Sequence, residues 1–252
     1  MIEVAGITKT YGDTTVVDSV SLIIKAGGVT AIIGPNGAGK STLLSIISRL
    51  MPPTSGSVRV DGLDVATAPG DALARRLAIL RQDNHIASRL TVRDLVTFGR
   101  YPHSKGRPTL VDKGHIDQAL AYLNLEPLAD RFLDELSGGQ RQRAFVAMVL
   151  SQDTDYVLLD EPLNNLDMKH SVAMMGLLRR MADELGKTVV LVLHDINFAS
   201  CYADAIVAMR DGQVVRHGPP CEVVTPGALA EIYDMHIPVH VIGDRQIGVY
   251  FR

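Results

Sequence analysis

The chain has 252 residues, of which 25 are lysine or arginine and 28 are aspartate or glutamate, for a formal net charge of −3. That length suits one large α/β domain or two joined lobes, each with a buried core. The near-neutral balance excludes a bulk nucleic-acid surface, which needs a basic domain. The two cysteines, Cys201 and Cys221, stand in no C-x-x-C or Cys/His cluster and read as free thiols.

Met1-Ile-Glu-Val-Ala-Gly6 shows no charged region followed by an apolar run, so no secretion signal is expected. No apolar stretch approaches the ~18 residues that a membrane span needs. The N-terminal region reads as β-rich from Val16 to Ile24, and Val29-Thr-Ala-Ile-Ile33 has the length and β-branched content of a buried strand. It feeds directly into Gly34-Pro35-Asn36-Gly37-Ala38-Gly39-Lys40-Ser41-Thr42, a complete G-x-x-x-x-G-K-[ST] phosphate loop. A helix continues over Leu43 to Leu50 until Pro52-Pro53 stops it. Asp61-Gly62, between Ser57–Val60 and Leu63–Val65, is a strong hairpin signal.

Between about 71 and 135 the pattern turns helical, with apolar residues at three- and four-residue spacing over Asp71–Leu77, Thr91–Phe98 and Asp112–Leu123. A helix then runs from Ser137 to about Leu150, followed by a strand at Tyr156–Leu159. Met168, Val172, Met175, Leu178, Ala182 and Leu185 trace one helix face, whose methionines are expected as core filler. Thr188–Leu193 reads as another strand, and Asp211-Gly212 as another hairpin. The end adds a short helix near Gly227–Tyr233 and β-like runs at Val239–Ile242 and Ile247–Tyr250. No low-complexity linker divides the chain, so one domain is expected over 1–252. Its core comprises about 1–80 and 155–252, and a helical lobe about 81–154.

Three stretches carry chemistry. In the phosphate loop, Gly34, Gly37 and Gly39 permit close backbone approach, so that several N–H groups converge on one phosphate chain. Lys40 supplies charge for the outer phosphates, Ser41 a hydroxyl for magnesium, and the helix that opens there its positive end. Asp160-Glu161 follows the strand at Tyr156–Leu159, at the edge where α/β sheets bind ligands. Asp160 suits Mg²⁺ held through water, and Glu161 suits a base polarising the water that attacks a γ-phosphate. Ser137-Gly138-Gly139-Gln140, preceded by Leu136, has the form of a capping box. Two glycines in a first turn cost helix propensity, which makes sense where an anion approaches the backbone. Together the two loops point to ATP gripped from two sides.

With these residues in view, the chain resembles the ATP-binding-cassette ATPase family, whose signature is identical to Leu136–Gln140. The resemblance runs over essentially the whole length. It implies a P-loop NTPase core, a mixed sheet with helices, carrying an N-terminal antiparallel β subdomain and an inserted helical subdomain. It further implies that Tyr11 stacks on adenine, and that Gln82 reaches magnesium and senses a permease. Asp160 would be the Walker B aspartate, and Glu161 the catalytic glutamate. Asn164, Asn165 and Asp167 would form the loop that crosses between subunits, although the family more often has serine where Asn164 stands. His194 would contact the γ-phosphate. Ser41, Gln82 and Asp160 are then the magnesium set, with ATP and Mg²⁺ as cofactors. Two copies would face head to tail, the Ser137 loop of one closing on the ATP held by the other.

Val96–His103 and Glu161–His170 look like the ATPases of ferric-siderophore importers, with haem and cobalamin importers close behind. The expected partners are therefore a second copy, integral membrane permease subunits and, indirectly, an extracytoplasmic substrate-binding protein. Nucleic acid is not among them, and the expected place is the cytoplasmic side of the cell membrane. Arg93, Arg100, His103, Lys105 and Arg107 form a locally basic stretch. It reads as a solvated face, or as a contact for permease loops or lipid. A soluble cassette ATPase would carry two cassettes or a coiled-coil insertion, and a small kinase would have no use for Leu136–Gln140.

Overall fold

In a computed structural model of the chain, all residues except Asp83, His85, Ala87 and Arg252 are described. The first stretch carries strands β1 (Ile2–Tyr11), β2 (Thr14–Ile24) and β3 (Gly28–Ile33), helix α1 (Lys40–Ile47), then β4 (Ser55–Val60) and β5 (Leu63–Asp64). Next come α2 (Gly70–Ala74), β6 (Leu77–Leu80), α3 (Val92–Phe98), α4 (Tyr101–Ser104), α5 (Leu110–Tyr122) and α6 (Gly138–Ser151). They are followed by β7 (Tyr156–Asp160), α7 (Met168–Leu185), β8 (Thr188–Val192), α8 (Ile196–Tyr202), β9 (Ala205–Arg210) and β10 (Gln213–Gly218). The chain closes with α9 (Pro220–Val223), α10 (Pro226–Tyr233), β11 (Val239–Ile242) and β12 (Arg245–Gly248). They fall into two compact units: Met1–Ala68 with Arg179–Arg252, and Pro69–Leu178.

In the first unit, β1 pairs antiparallel with β2 on one side and β4 on the other. Asp61 and Gly62 both take positive φ (48° and 78°), the twist of a two-residue hairpin turn, as Asp-Gly predicts. A mixed sheet in the order β10-β9-β3-β8 forms the rest of this unit's core. Its strand β3 is parallel to both β8 and β9. All five residues of β8 are buried, and the four after Thr188 are an apolar run that suits a parallel strand covered on both faces.

Three sequence expectations shift in detail. The helix after the phosphate loop stops at Ile47, well before the prolines, because Arg49 turns left-handed (φ 61°). Along α7 the buried stripe is Met174, Met175, Leu177, Leu178, Met181 and Ala182, whereas Met168, Val172 and Leu185 are exposed. Of the two methionines expected as core filler, Met175 is buried and Met168 is not, while Met174 and Met181 are buried as well. The proposed helix at 71–77 is a short helix, α2, followed by strand β6. Four apolar residues, Leu77-Ala-Ile-Leu80, are too few for their periodicity to separate strand from helix.

In the second unit β6 runs parallel to β7. Both α3 and α5 begin on a threonine capping box. Thr91 N–H donates to Asp94 (3.0 Å), and Thr109 N–H to Asp112 (2.8 Å). Here the basic stretch is corrected. Arg100 is only 3% exposed, and its Nε–H donates to the equally buried Asp112 carboxylate at 2.9 Å. Its Nη1–H donates to the Ser151 carbonyl in the last turn of α6 at 2.8 Å. Arg93 pairs with Asp117 (2.6 Å) and Lys105 with Asp71, while His103 Nε2 bonds the Gln152 carbonyl (3.0 Å). The side chain at 100 therefore ties helix ends inside the unit rather than forming part of a solvated face.

Candidate functional site

Strand register sets the phosphate loop. The β3–β8 ladder pairs Ile32 with Val192, so two residues on Gly34 comes level with His194. Leu193 N–H, donating to Ile32 O at 3.0 Å, extends the ladder to that point. On the other side Ile33 pairs with Ala208, which brings Gly34 against Met209. A Cβ at Gly34 would lie 2.0 Å from Met209 O, and φ there is 142°, so only glycine fits. The loop turns back through Ala38 N–H to Pro35 O (3.2 Å), past Asn36 and Gly37, and opens α1 at Gly39. The N-cap is Gly39, which has no side chain to cap the helix, and a helix N-terminus of this kind is where an anion binds. Lys40, 5% exposed, donates its ammonium to Gly34 O (2.8 Å) and Pro35 O (2.9 Å), which holds the charge inside the loop. Ser41 and Thr42 follow in the first turn of α1.

Tyr11 ends β1 with half its surface exposed, its hydroxyl on Met51 Sδ (2.8 Å) and the Lys9 ammonium 5.2 Å from its ring centroid. A supported, open ring of this kind offers a stacking face. His194 is exposed just past β8. Beside it lies a cavity of about 410 Å³ that sequence reasoning missed, lined by His194, Asp195, Ile196, Tyr233, Ile237 and Tyr250 among others. Asp195 caps α8 through Asn197 N–H (2.7 Å) and Phe198 N–H (3.1 Å) and accepts from the Tyr250 hydroxyl (3.3 Å). Burial pushes the Tyr233 hydroxyl well above the phenol range; the nearby Gly34 backbone opposes this but makes no hydrogen bond of normal geometry. No spacing in the sequence links these C-terminal tyrosines to a strand end about forty to sixty residues earlier.

In the second unit the β6–β7 ladder pairs Leu80 with Leu159, so two residues on Gln82 comes level with Glu161. Its amide N–H donates to Glu161 Oε2 at 2.8 Å. Asp160, 8% exposed, ends the strand, and both carboxylates stand at its C-terminal edge, where ligands bind parallel sheets. Glu161 has a left-handed backbone (φ 51°), a conformation costing about 1–3 kcal/mol and typical of active sites. Asn165 repeats it (φ 61°) more cheaply, since asparagine tolerates that region. Asn164 Nδ2–H donates to Glu161 Oε2 as well. Asp167 accepts from His170 N–H (2.8 Å) and Nδ1 (2.7 Å), and the backbone bond above all holds its carboxyl below the usual range.

Ser137 caps α6 as its spacing predicts: its N–H donates to Gln140 Oε1 (3.0 Å) and its hydroxyl accepts from Gln140 N–H (3.3 Å). The His170 ring lies over Gly139, where a Cβ would meet it at 2.7 Å, and Gly138 faces the Asn165 carbonyl. The signature turn and the loop at 164–167 are thus neighbours. Gln82, Glu161 and Asn164 form one cluster, Asp167 and His170 another beside Gly139.

A glycine-rich loop that joins the tip of a parallel strand, flanked on both sides, to a helix N-terminus defines a nucleotide-binding protein of the phosphate-loop class. Comparison with known proteins narrows this. The family model described as "ABC transporter" matches residues 17–164. The chain is 55% identical to the petrobactin import ATP-binding protein YclP of Bacillus subtilis (strain 168), over 100% of both chains. To the ferric enterobactin transport ATP-binding protein FepC of Escherichia coli (strain K12) it is 42% identical, over 91% of this chain and 85% of that one. Among solved structures, a dimeric ATP-binding cassette in a post-hydrolysis state bound to ADP and Pi matches with a TM-score of 0.77 and 33% identity. That match covers 87% of this chain and 99% of the other. The chain belongs to the ABC transporter family and is an ATP-binding ATPase of the P-loop fold. No helix among the described residues is long and apolar enough to cross a membrane.

Proposed function

We propose that this chain is the ATP-hydrolysing subunit of an importer that carries a ferric siderophore across the cytoplasmic membrane. It works at the cytoplasmic face as a homodimer on integral permease subunits, to which an extracytoplasmic binding protein delivers cargo. The observation that carries this reading is the full-length similarity to a petrobactin import subunit, joined by that to a ferric enterobactin transport subunit.

In this reading Tyr11 stacks on adenine. The backbone from Asn36 to Thr42 and the Lys40 ammonium hold the phosphates. Ser137 to Gln140 of one copy close on the ATP of the other, across the loop formed by Asn164, Asn165 and Asp167. His194 meets the γ-phosphate, and Glu161 takes a proton from the attacking water. Gln82 reports on the permease. The Ser41 hydroxyl, the Asp160 carboxylate and the Gln82 amide oxygen are all hard oxygen donors, the set that fits Mg²⁺. Held there with ATP, the cation would offset charge on the outer phosphates.

The test is transport in iron-starved cells lacking this chain. Uptake of labelled ferric petrobactin is expected to fail and to return with the wild-type chain but not with Lys40→Ala, which removes the charge on the phosphates. Normal ferric-siderophore uptake in the deletion strain would overturn the cargo. Loss of haem or cobalamin uptake instead would move the reading to those importers.

A further inference from the structure

We propose that Asn164 is a positioning residue for the general base Glu161, an inference that rests on the assignment of Glu161 just made. Glu161 sits one residue beyond β7 in a left-handed conformation that its own side chain does nothing to favour. A glutamate there needs holding, because its terminal torsion is broad and roughly two-fold, so either oxygen can face the reacting water. Two amide N–H donors converge on the same oxygen, Oε2: one from Gln82 at 2.8 Å, the other from Asn164. Binding one oxygen from two directions selects one orientation of the carboxylate plane.

The two donors are not equivalent. Gln82 follows β6 and approaches from a different strand, and in the proposed function its amide also serves magnesium and the permease. Asn164 belongs to the same turn as the glutamate, where its N–H donates to Glu161 O at 3.2 Å and Leu166 N–H to Leu163 O at 3.2 Å. It therefore moves with Glu161 and keeps its grip whenever Gln82 turns elsewhere. Residue type matters here. The asparagine amide nitrogen lies two bonds beyond Cβ, while a serine hydroxyl, the commoner group at this place in the family, is attached to Cβ itself and is shorter by one bond. The asparagine that departs from the family pattern is the side chain whose length reaches the base.

Steady-state turnover of the purified full chain with Mg²⁺-ATP tests this, alongside ATP affinity from equilibrium titration. Asn164→Ala and Asn164→Ser are expected to lower kcat by about ten- to a hundredfold, the upper figure being the cost of a catalytic group misplaced by about 1 Å. KM and ATP affinity are expected to stay within about twofold, since nothing in phosphate binding is touched. In a Gln82→Ala background the loss from Asn164→Ala should grow, because the second donor is already gone. In a Glu161→Gln background it should vanish. A kcat within twofold of wild type for Asn164→Ala overturns the proposal, and so does a parallel loss of ATP affinity and thermal stability, which would mark a structural role. Wild-type turnover by Glu161→Gln alone would remove the base itself; Asn164→Ala active beside an inactive Glu161→Gln removes only the positioning role.

Discussion

Glu161→Gln is expected to cut ATP turnover by at least about 100-fold, the lower end of what a positioned general base contributes. That corresponds to about 2.7 kcal/mol of barrier. The substitution keeps the shape of the side chain and replaces a basic carboxylate oxygen with an amide that takes up no proton. Binding should survive, because the groups assigned to the phosphates, from Gly34 to Thr42, are untouched. The measurement is single-turnover hydrolysis of labelled ATP beside equilibrium nucleotide binding. Unaltered hydrolysis would show that another group activates the water. Lost binding would show that the carboxylate holds the ground state rather than serving the transition state. An ATP-trapped dimer is the further expected result, since closure without hydrolysis leaves two copies sharing nucleotide.

The second large effect concerns stability. Arg100→Ala or Asp112→Ala should cost about 3–5 kcal/mol in urea unfolding, the cost of leaving one buried charge without its partner. The two side chains are nearly sealed from solvent, 4% and 5% exposed, and Arg100 also bonds the end of α6. Replacing both by apolar residues of similar volume should restore much of the loss, because the desolvation of both charges then disappears. The pair also carries a pH signature. The Thr109 backbone N–H first, then the Thr109 hydroxyl and Arg100, outweigh burial and lower the Asp112 carboxyl from 3.8 to about 2. A depressed folded-state pKa gives stability that is fully present above the unfolded value and is lost as the carboxylate protonates. The wild-type advantage over Asp112→Asn should therefore hold above pH 3.8 and fade as pH falls toward about 2. A difference between them that stays constant down to pH 2 would deny the shift.

Much of this was legible in the chain because it is local. The phosphate loop, the Ser137 cap and both Asp-Gly hairpins depend on residues within eight positions of one another, and all appear where their spacing puts them. The errors have one origin as well. Leu77–Leu80 was too short for its period to declare a strand, and without that strand nothing placed Gln82 opposite Glu161. Arg100 looks like surface in the sequence because its neighbours there are basic. Its partners, Asp112 and Ser151, lie 12 and 51 residues away.

The sequence by itself determined the phosphate loop, the strand-end Asp160-Glu161 pair and the capped signature turn, hence a family and an ATPase chemistry. Backbone propensity, capping and turn formation act over a few residues, so their outcome is written in adjacent letters. Only the tertiary structure decided which strands stand side by side. That choice brings His194 level with Gly34 and Gln82 onto Glu161, and it buries Arg100. It rests on burying apolar surface between segments distant in sequence, a non-directional force that leaves little local trace. The opening pattern therefore announced a nucleotide-binding ATPase, whereas the two amide donors on Glu161, Gln82 and Asn164, came from a strand register and a turn.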